Sequence, residues 1–122
     1  MAKSVLIADD TVFFRVALRE ILTSGGYEVV GEAANGAEAV EEAERLKPDI
    51  VILDVVMPVK NGIEAAKEIK SLKLPSTIVM CTSLGYEAIV EEAIRSGASA
   101  YIIKPLNAEK VLSILAGIPG LS

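Results

Sequence analysis

Short apolar runs rich in β-branched residues recur along the chain, and the segments between them carry apolar residues three and four positions apart. The runs predict strands and the intervening segments predict helices. Strands that alternate with helices predict parallel β–α units, with helices covering both faces of one sheet. We therefore predict an α/β fold with five strands: Val5–Ala8, Val29–Val30, Ile50–Leu53, Ile78–Cys81 and Tyr101–Ile103.

The polarity around each run indicates its place in the sheet. Four runs are continuously apolar, as strands covered on both faces must be. The run at Val29-Val30 is flanked by Glu28 and Glu32, so we place it at an edge. The first helix carries an apolar face through Leu18 and Leu22 and is expected to stop at Gly25-Gly26. Asn35 and Asn61, each three positions before a glutamate, have the spacing of a capping box at the start of a helix, and Asn107 is a cap candidate for the last helix.

Composition narrows the class of protein. The 122 residues suffice for one domain, and we expect a single domain over residues 1–122. The net charge of −5 argues against general nucleic-acid binding, which relies on a basic surface. The apolar runs are far too short for a membrane span, and no signal-peptide pattern precedes the first run. Cys81 is the only cysteine, so an internal disulfide is excluded. We expect a cytoplasmic domain that binds neither nucleic acid nor membrane.

The residues that are best suited to bind a ligand or react with one directly follow the strand runs. Asp9-Asp10 follow the first run and Asp54 follows the third, while Thr82 and Lys104 come directly after the fourth and the fifth. In an open parallel sheet the carboxyl ends of the strands share one edge, where ligands bind. The sequence therefore predicts one site containing three carboxylates, a hydroxyl and an ammonium group.

Three carboxylates within a few ångströms repel one another unless a cation neutralises them. Mg²⁺ suits this site because it takes one or two carboxylates, keeps several waters and accepts a phosphate oxygen; Mn²⁺ is an alternative. A carboxylate in such a site can attack phosphorus and form an aspartyl-phosphate. The chain has no histidine, so a phosphohistidine donor has to come from another protein.

This pattern resembles the receiver domain of two-component response regulators, most of all the single-domain chemotaxis (CheY) type. The likeness covers essentially the whole chain and implies a doubly wound, flavodoxin-like (βα)5 fold with strand order 2-1-3-4-5. The blocks that carry it are Asp9-Asp10, Asp54 followed by Val55-Val56-Met57-Pro58 and Gly62, Thr82, and Lys104-Pro105 preceded by Tyr101.

The resemblance implies a role for each matching residue. Asp54 would accept the phosphoryl group. Asp10, Asp54 and the backbone carbonyl of Val56 would bind the metal directly, with Asp9 acting largely through water. Lys104 would pair with the phosphoryl oxygens, and its bond to Pro105 would be cis.

The resemblance also implies a switch. Thr82 would donate its hydroxyl to the phosphoryl group, and Tyr101 would turn inward as Thr82 moves, altering the surface of the fourth helix, fifth strand and fifth helix that a downstream protein reads. A histidine kinase would supply the phosphoryl group. The chain would act as a monomeric signalling switch and not as a turnover enzyme. Val56 and Leu84 stand where the family tunes phosphoryl lifetime, and two apolar residues predict slow self-dephosphorylation.

Other functions compete with this interpretation. A flavodoxin-like redox carrier would need a Ser/Thr-rich phosphate loop after the first strand and aromatic residues around the flavin. A phosphohydrolase of the haloacid-dehalogenase type has a second aspartate two residues after its nucleophile, where this chain has Val56. A phosphorylation-silent interaction module is opposed by the complete residue set. Within the receiver family, chemotaxis is the favoured pathway, and a phosphorelay intermediate or a regulator of another two-component pathway is the alternative.

Overall fold

The structure is a computed structural model, and it describes residues 2–83 and 87–120. Five strands alternate with five helices in these ranges. The strands are β1 (Ser4–Ala8), β2 (Glu28–Ala33), β3 (Ile50–Leu53), β4 (Thr77–Thr82) and β5 (Ala98–Ile103). The helices are α1 (Val12–Ser24), α2 (Gly36–Leu46), α3 (Gly62–Ser71), α4 (Glu87–Arg95) and α5 (Ala108–Ala116).

The strands form one parallel sheet in the order β2-β1-β3-β4-β5. This confirms the predicted five-stranded, flavodoxin-like α/β fold, including the edge position of β2. Several strands extend beyond the predicted runs. β5 begins at Ala98 because its small residues pair with β4, although they carry no strong strand signal of their own.

The sheet separates two apolar layers, since alternate strand residues point to opposite faces. On one face Val5 and Ile7 of β1 pack with buried residues of α1 and α5. On the other face Leu6 and Ala8 pack with buried residues of α2, α3 and α4. Both layers run under the full width of the sheet, so the central strands β1, β3 and β4 are buried along most of their length.

The predicted helix signals are mostly confirmed. Asn61 and Glu64 form a reciprocal capping box at the start of α3, and Asn107 accepts from the Lys110 N–H at the start of α5. At α2 only one half of the predicted capping box is formed. Asn35 accepts from the Glu38 N–H, but the Glu38 carboxylate accepts from Ala34 N–H and not from the cap residue.

α1 ends where predicted, and Gly26 supplies a left-handed conformation with φ of 88°. Among the described residues, no helix is both long enough and apolar enough to cross a membrane.

Candidate functional site

The sheet itself fixes the backbone of the predicted site residues. Asp54 N–H donates to Ala8 O at 2.9 Å, which carries the β1–β3 pairing one residue past the end of β3. Lys104 N–H donates to Thr82 O at 2.8 Å in the same way between β4 and β5. Residues from four separate strand ends are thus held at one edge of the sheet, as the topology predicted.

The three aspartates do converge. One carboxylate oxygen from each of Asp9, Asp10 and Asp54 lies within 4.8 Å of the other two. Asp9 and Asp54 are buried, whereas Asp10 is exposed. An oxygen-only donor set of this kind suits a hard divalent cation such as Mg²⁺, which retains waters on its open side. The residues present therefore fit the metal that the sequence predicted.

Lys104 crosses the site and contacts both buried carboxylates. Its Nζ donates to Asp9 Oδ2 at 2.7 Å and to Asp54 Oδ2 at 3.0 Å, and the three side chains are at most 9% exposed. The same ammonium lies 3.7 Å from the centre of the Phe14 ring, a cation–π contact. Lys104 thus balances part of the negative charge that the aspartates concentrate here.

The protonation equilibria follow from this arrangement. Burial raises the pKa of Asp54 and the nearby charge of Asp9 adds to the increase, while the hydrogen bond and charge of Lys104 oppose it. Burial lowers the pKa of Lys104, but its hydrogen bonds to Asp9 and Asp54, together with the negative charges of these two residues, outweigh that effect, so its pKa is raised overall. Lys104 therefore stays charged, while burial disfavours the charged form of Asp54.

Asp10 and Asp54 line an open cleft of about 460 Å³. Val56 lies beside the phosphoacceptor candidate, since its N–H donates to Asp54 Oδ1 at 3.2 Å and its side chain is 56% exposed. The cleft has room for a hydrated ion and a phosphoryl group. It is lined by Asp10, Thr11, Phe14, Asp54, Val56, Ser83, Lys104 and Pro105.

The two predicted switch residues flank this site from β4 and β5. Thr82 is buried at the end of β4, and its neighbour Ser83 lines the cleft. Tyr101 is half-buried against the layer that contains α4, and burial, with Asp54 and then Cys81 nearby, raises its pKa. Their movement on phosphorylation stays a prediction. Leu84 lies outside the described residues.

One further expectation concerns the peptide bond after Lys104, and it is met. The Lys104–Pro105 peptide bond is cis. Cys81 is buried, and burial raises the pKa of its thiol to about 12, which keeps it protonated and unreactive at neutral pH.

Two residues of α1 contact the site but were not predicted to do so. Phe14 lies under Lys104, and Arg15 donates through Nη1 to the backbone carbonyl of Asp9. Phe14 falls on the same apolar face of α1 as Leu18 and Leu22, and nothing in the pattern singles out Arg15. The usable signal was position, since the first turns of a helix that follows β1 directly must lie beside the strand ends.

Comparison with known proteins agrees with this geometry. The response regulator receiver domain family matches residues 5–116. The chemotaxis protein CheY of Thermotoga maritima is 49% identical over 115 residues, which is 94% of this chain and 96% of that protein. CheY of Bacillus subtilis is 44% identical over 94% of this chain and 96% of its own.

A solved structure shows the same architecture. The CheX–CheY–BeF3–Mg²⁺ complex from Borrelia burgdorferi contains a chain that is 36% identical and superposes with a TM-score of 0.92. The match covers 95% of this chain and 88% of that one. Family match, strand order and aspartate cluster agree, and the chain belongs to the response regulator receiver domains, of the CheY type.

Proposed function

We propose that the chain, as a single receiver domain, accepts a phosphoryl group on Asp54 from a histidine kinase and thereby switches a protein-binding surface. The observation that carries the proposal is the position of Asp54. One oxygen of its buried carboxylate lies within 4.8 Å of a carboxylate oxygen of Asp9 and of Asp10. Its Oδ2 accepts from Lys104 Nζ at 3.0 Å, and Asp54 lines an open cleft.

Each residue has a distinct task in this proposal. Asp9, Asp10, Asp54 and the Val56 carbonyl hold Mg²⁺, with Mn²⁺ as a substitute. When bound, the ion neutralises carboxylate charge and stabilises charge on the transferred phosphoryl oxygens. Asp54 forms the new bond to phosphorus as the bond between phosphorus and the donor imidazole nitrogen breaks.

Lys104 is placed to bind the phosphoryl oxygens when the phosphoryl group is transferred to Asp54. In the structure its ammonium is shared between Asp9 and Asp54, and the added phosphoryl oxygens offer it a stronger anionic partner on the Asp54 side. The Thr82 hydroxyl donates to the same oxygens. These residues leave the group in place after one transfer, so the chain acts as a signalling switch and not as a turnover enzyme.

The output surface in this proposal is the face formed by α4, β5 and α5. Tyr101 of β5 is half-buried next to α4, so a change in its position would alter that face. Ile94 of α4 and Ile103 of β5 are 56% and 46% exposed and offer apolar contacts to a protein partner. The Borrelia burgdorferi CheY is seen in complex with CheX, which supports a protein partner for this fold.

We place this monomeric switch in the cytoplasm and in chemotaxis signalling, on the strength of the two CheY relatives at 49% and 44% identity. The population of the active conformer would rise on phosphorylation, and the downstream protein would bind that conformer preferentially.

The test is phosphorylation by a small-molecule donor. Incubation with acetyl phosphate and Mg²⁺ should add the mass of one phosphoryl group, because the chain's own residues perform the transfer. Asp54→Asn should abolish the gain, and chelation of the metal should do the same. Asp49→Asn is the matched control, since Asp49 is an exposed aspartate whose carboxylate accepts from Ser4 at the opposite end of β3. A mass gain that survives Asp54→Asn would refute the proposal.

A further inference from the structure

Asp9 is held at every polar atom. Its N–H donates to Ala33 O of β2 at 3.0 Å, and its Oδ1 accepts from the Thr11 N–H at 2.9 Å. Its Oδ2 accepts from Lys104 Nζ at 2.7 Å. The remaining atom, the backbone carbonyl oxygen, accepts from Nη1 of Arg15. Of these four contacts, the one from Arg15 is the only one made by a side chain outside the cleft.

Arg15 is itself anchored between two elements. It lies in the second turn of α1, its side chain is only 14% exposed, and its Nε donates to Glu32 Oε1 of β2 at 2.9 Å. The other Glu32 oxygen accepts from Arg19, one turn further along α1, at 2.7 Å. One guanidinium therefore links α1, the edge strand β2 and the turn that carries Asp9 and Asp10.

We propose that Arg15 is a positioning residue of the cation site, which holds the backbone after β1 so that the carboxylates of Asp9 and Asp10 face Asp54. The inference rests on the proposed function and extends it. Lys104 pulls the Asp9 carboxylate towards Asp54, but it cannot fix the main chain behind that side chain. The guanidinium of Arg15 fixes the carbonyl, and through it the backbone dihedral angle that sets the direction of the following residue, Asp10.

Comparison with Arg19 distinguishes this positioning role from two simpler roles for Arg15, which are pairing with Glu32 and supplying positive charge. Arg15 and Arg19 carry the same charge, lie on the same helix and bind the same glutamate, but only Arg15 reaches Asp9. If each arginine served only to pair with Glu32, losing either would have the same effect on the cation site. If only positive charge mattered, removing either arginine would strengthen cation binding, because repulsion near the aspartates would fall.

The positioning role predicts instead that loss of Arg15 weakens cation binding, and that loss of Arg19 does not. Residues that orient metal ligands from behind typically change metal affinity by about 10- to 100-fold when they are mutated. We expect Arg15→Gln to weaken Mg²⁺ binding about tenfold, at the lower end of that range, because three other contacts on Asp9 remain. Arg19→Gln should leave the Mg²⁺ dissociation constant within about twofold of wild type, since surface charges contribute little.

The experiment is isothermal titration calorimetry of the full chain with MgCl₂, which measures the Mg²⁺ dissociation constant. It compares wild type with Arg15→Gln, Arg19→Gln and Arg15→Lys. Unfolding in denaturant and chelator, run in parallel, measures stability without the ion. Arg15→Lys keeps a positive donor that can reach one partner, so it should recover part of the affinity. It also stands in for Arg15→Gln should that variant fail to fold.

The outcomes are distinguishable. Weaker Mg²⁺ binding by Arg15→Gln, with Arg19→Gln near wild type, supports the inference. Unchanged or tighter binding by Arg15→Gln, or equal weakening in both glutamine variants, would overturn it while the proposed function stands. A wild-type chain that binds no Mg²⁺ would count against the proposed function itself.

Discussion

Replacing Lys104 with methionine removes the ammonium group that contacts both buried aspartates. The Nζ atom lies 2.7 Å from Asp9 Oδ2 and 3.0 Å from Asp54 Oδ2, and the side chains are 9%, 7% and 9% exposed for Lys104, Asp9 and Asp54. Methionine has a similar length and can still pack against Phe14, so the variant loses charge with little loss of apolar contact. It leaves two buried carboxylates that keep their backbone hydrogen bonds from Thr11 and Val56 but lose the positive charge between them.

The expected cost follows from that burial. Removing one partner of a buried ion pair typically destabilises a protein by about 3–5 kcal/mol. We expect about 3 kcal/mol for Lys104→Met, at the lower end, because the cleft admits water to the carboxylates from the side of Asp10. Bound Mg²⁺ should reverse much of this loss, since it supplies the missing positive charge. Without the ammonium to compete, Mg²⁺ should bind at least about tenfold more tightly, which corresponds to about 1.4 kcal/mol.

The assay is urea denaturation followed by circular dichroism, once in chelator and once in saturating Mg²⁺. The gap in unfolding free energy between wild type and Lys104→Met should be large in chelator and smaller with Mg²⁺. Lys110→Met is the control, because Lys110 is an exposed lysine of α5. Equal stability of Lys104→Met and wild type in chelator would refute the charge argument. So would a Mg²⁺ stabilisation no greater in the variant than in wild type.

Three other substitutions probe the loop around the acceptor. In Gly62→Ala the added Cβ would fall 2.1 Å from the Asp54 carbonyl oxygen, so we expect a loss of about 2 kcal/mol in urea denaturation and much slower labelling by acetyl phosphate. Gly117→Ala, whose nearest neighbour is at 3.4 Å, should match wild type, and equal behaviour of both alanine variants would contradict the packing argument. Val59→Asn should stabilise the chain by about 1 kcal/mol, because Val59 is 84% exposed and strained at φ of 69°, and a lower denaturation midpoint would contradict this. Val56→Asn should shorten the phosphoryl half-life several-fold in a mass-spectrometric decay assay, since an amide in the cleft can hold water near the acyl phosphate; unchanged decay would argue against it.

The convergence of the site could be predicted from sequence because topology enforces it. Once the chain is recognised as parallel β–α units, Asp9, Asp54 and Lys104 have to lie along the carboxyl edge of the sheet, whatever the details of packing. The order of the strands in the sheet could not be predicted from the hydrophobic pattern. Periodicity identifies which segments are strands but not which strands are neighbours, so the order came from the family resemblance and was then confirmed.

The contacts that support the site could not be identified from the hydrophobic pattern. The pattern of α1 marks Phe14 as an apolar face residue and gives Arg15 no special status, yet tertiary placement brings both to the strand ends. The loop after β3 is similar. Its turn signals are Pro58 and the Asn61-Gly62 pair, but the left-handed residue is Val59, because the path from the strand end to α3 overrides local preference.

The most direct test of the central claim identifies which of the three clustered aspartates carries the phosphoryl group. Borohydride reduces an acyl phosphate to the alcohol, so treatment of the phosphorylated chain converts the modified aspartate into homoserine, and peptide mass spectrometry then locates it. The account predicts homoserine at position 54 alone, and only when Mg²⁺ and donor were both present. Homoserine at position 9 or 10, or labelling that does not depend on the metal, would contradict it.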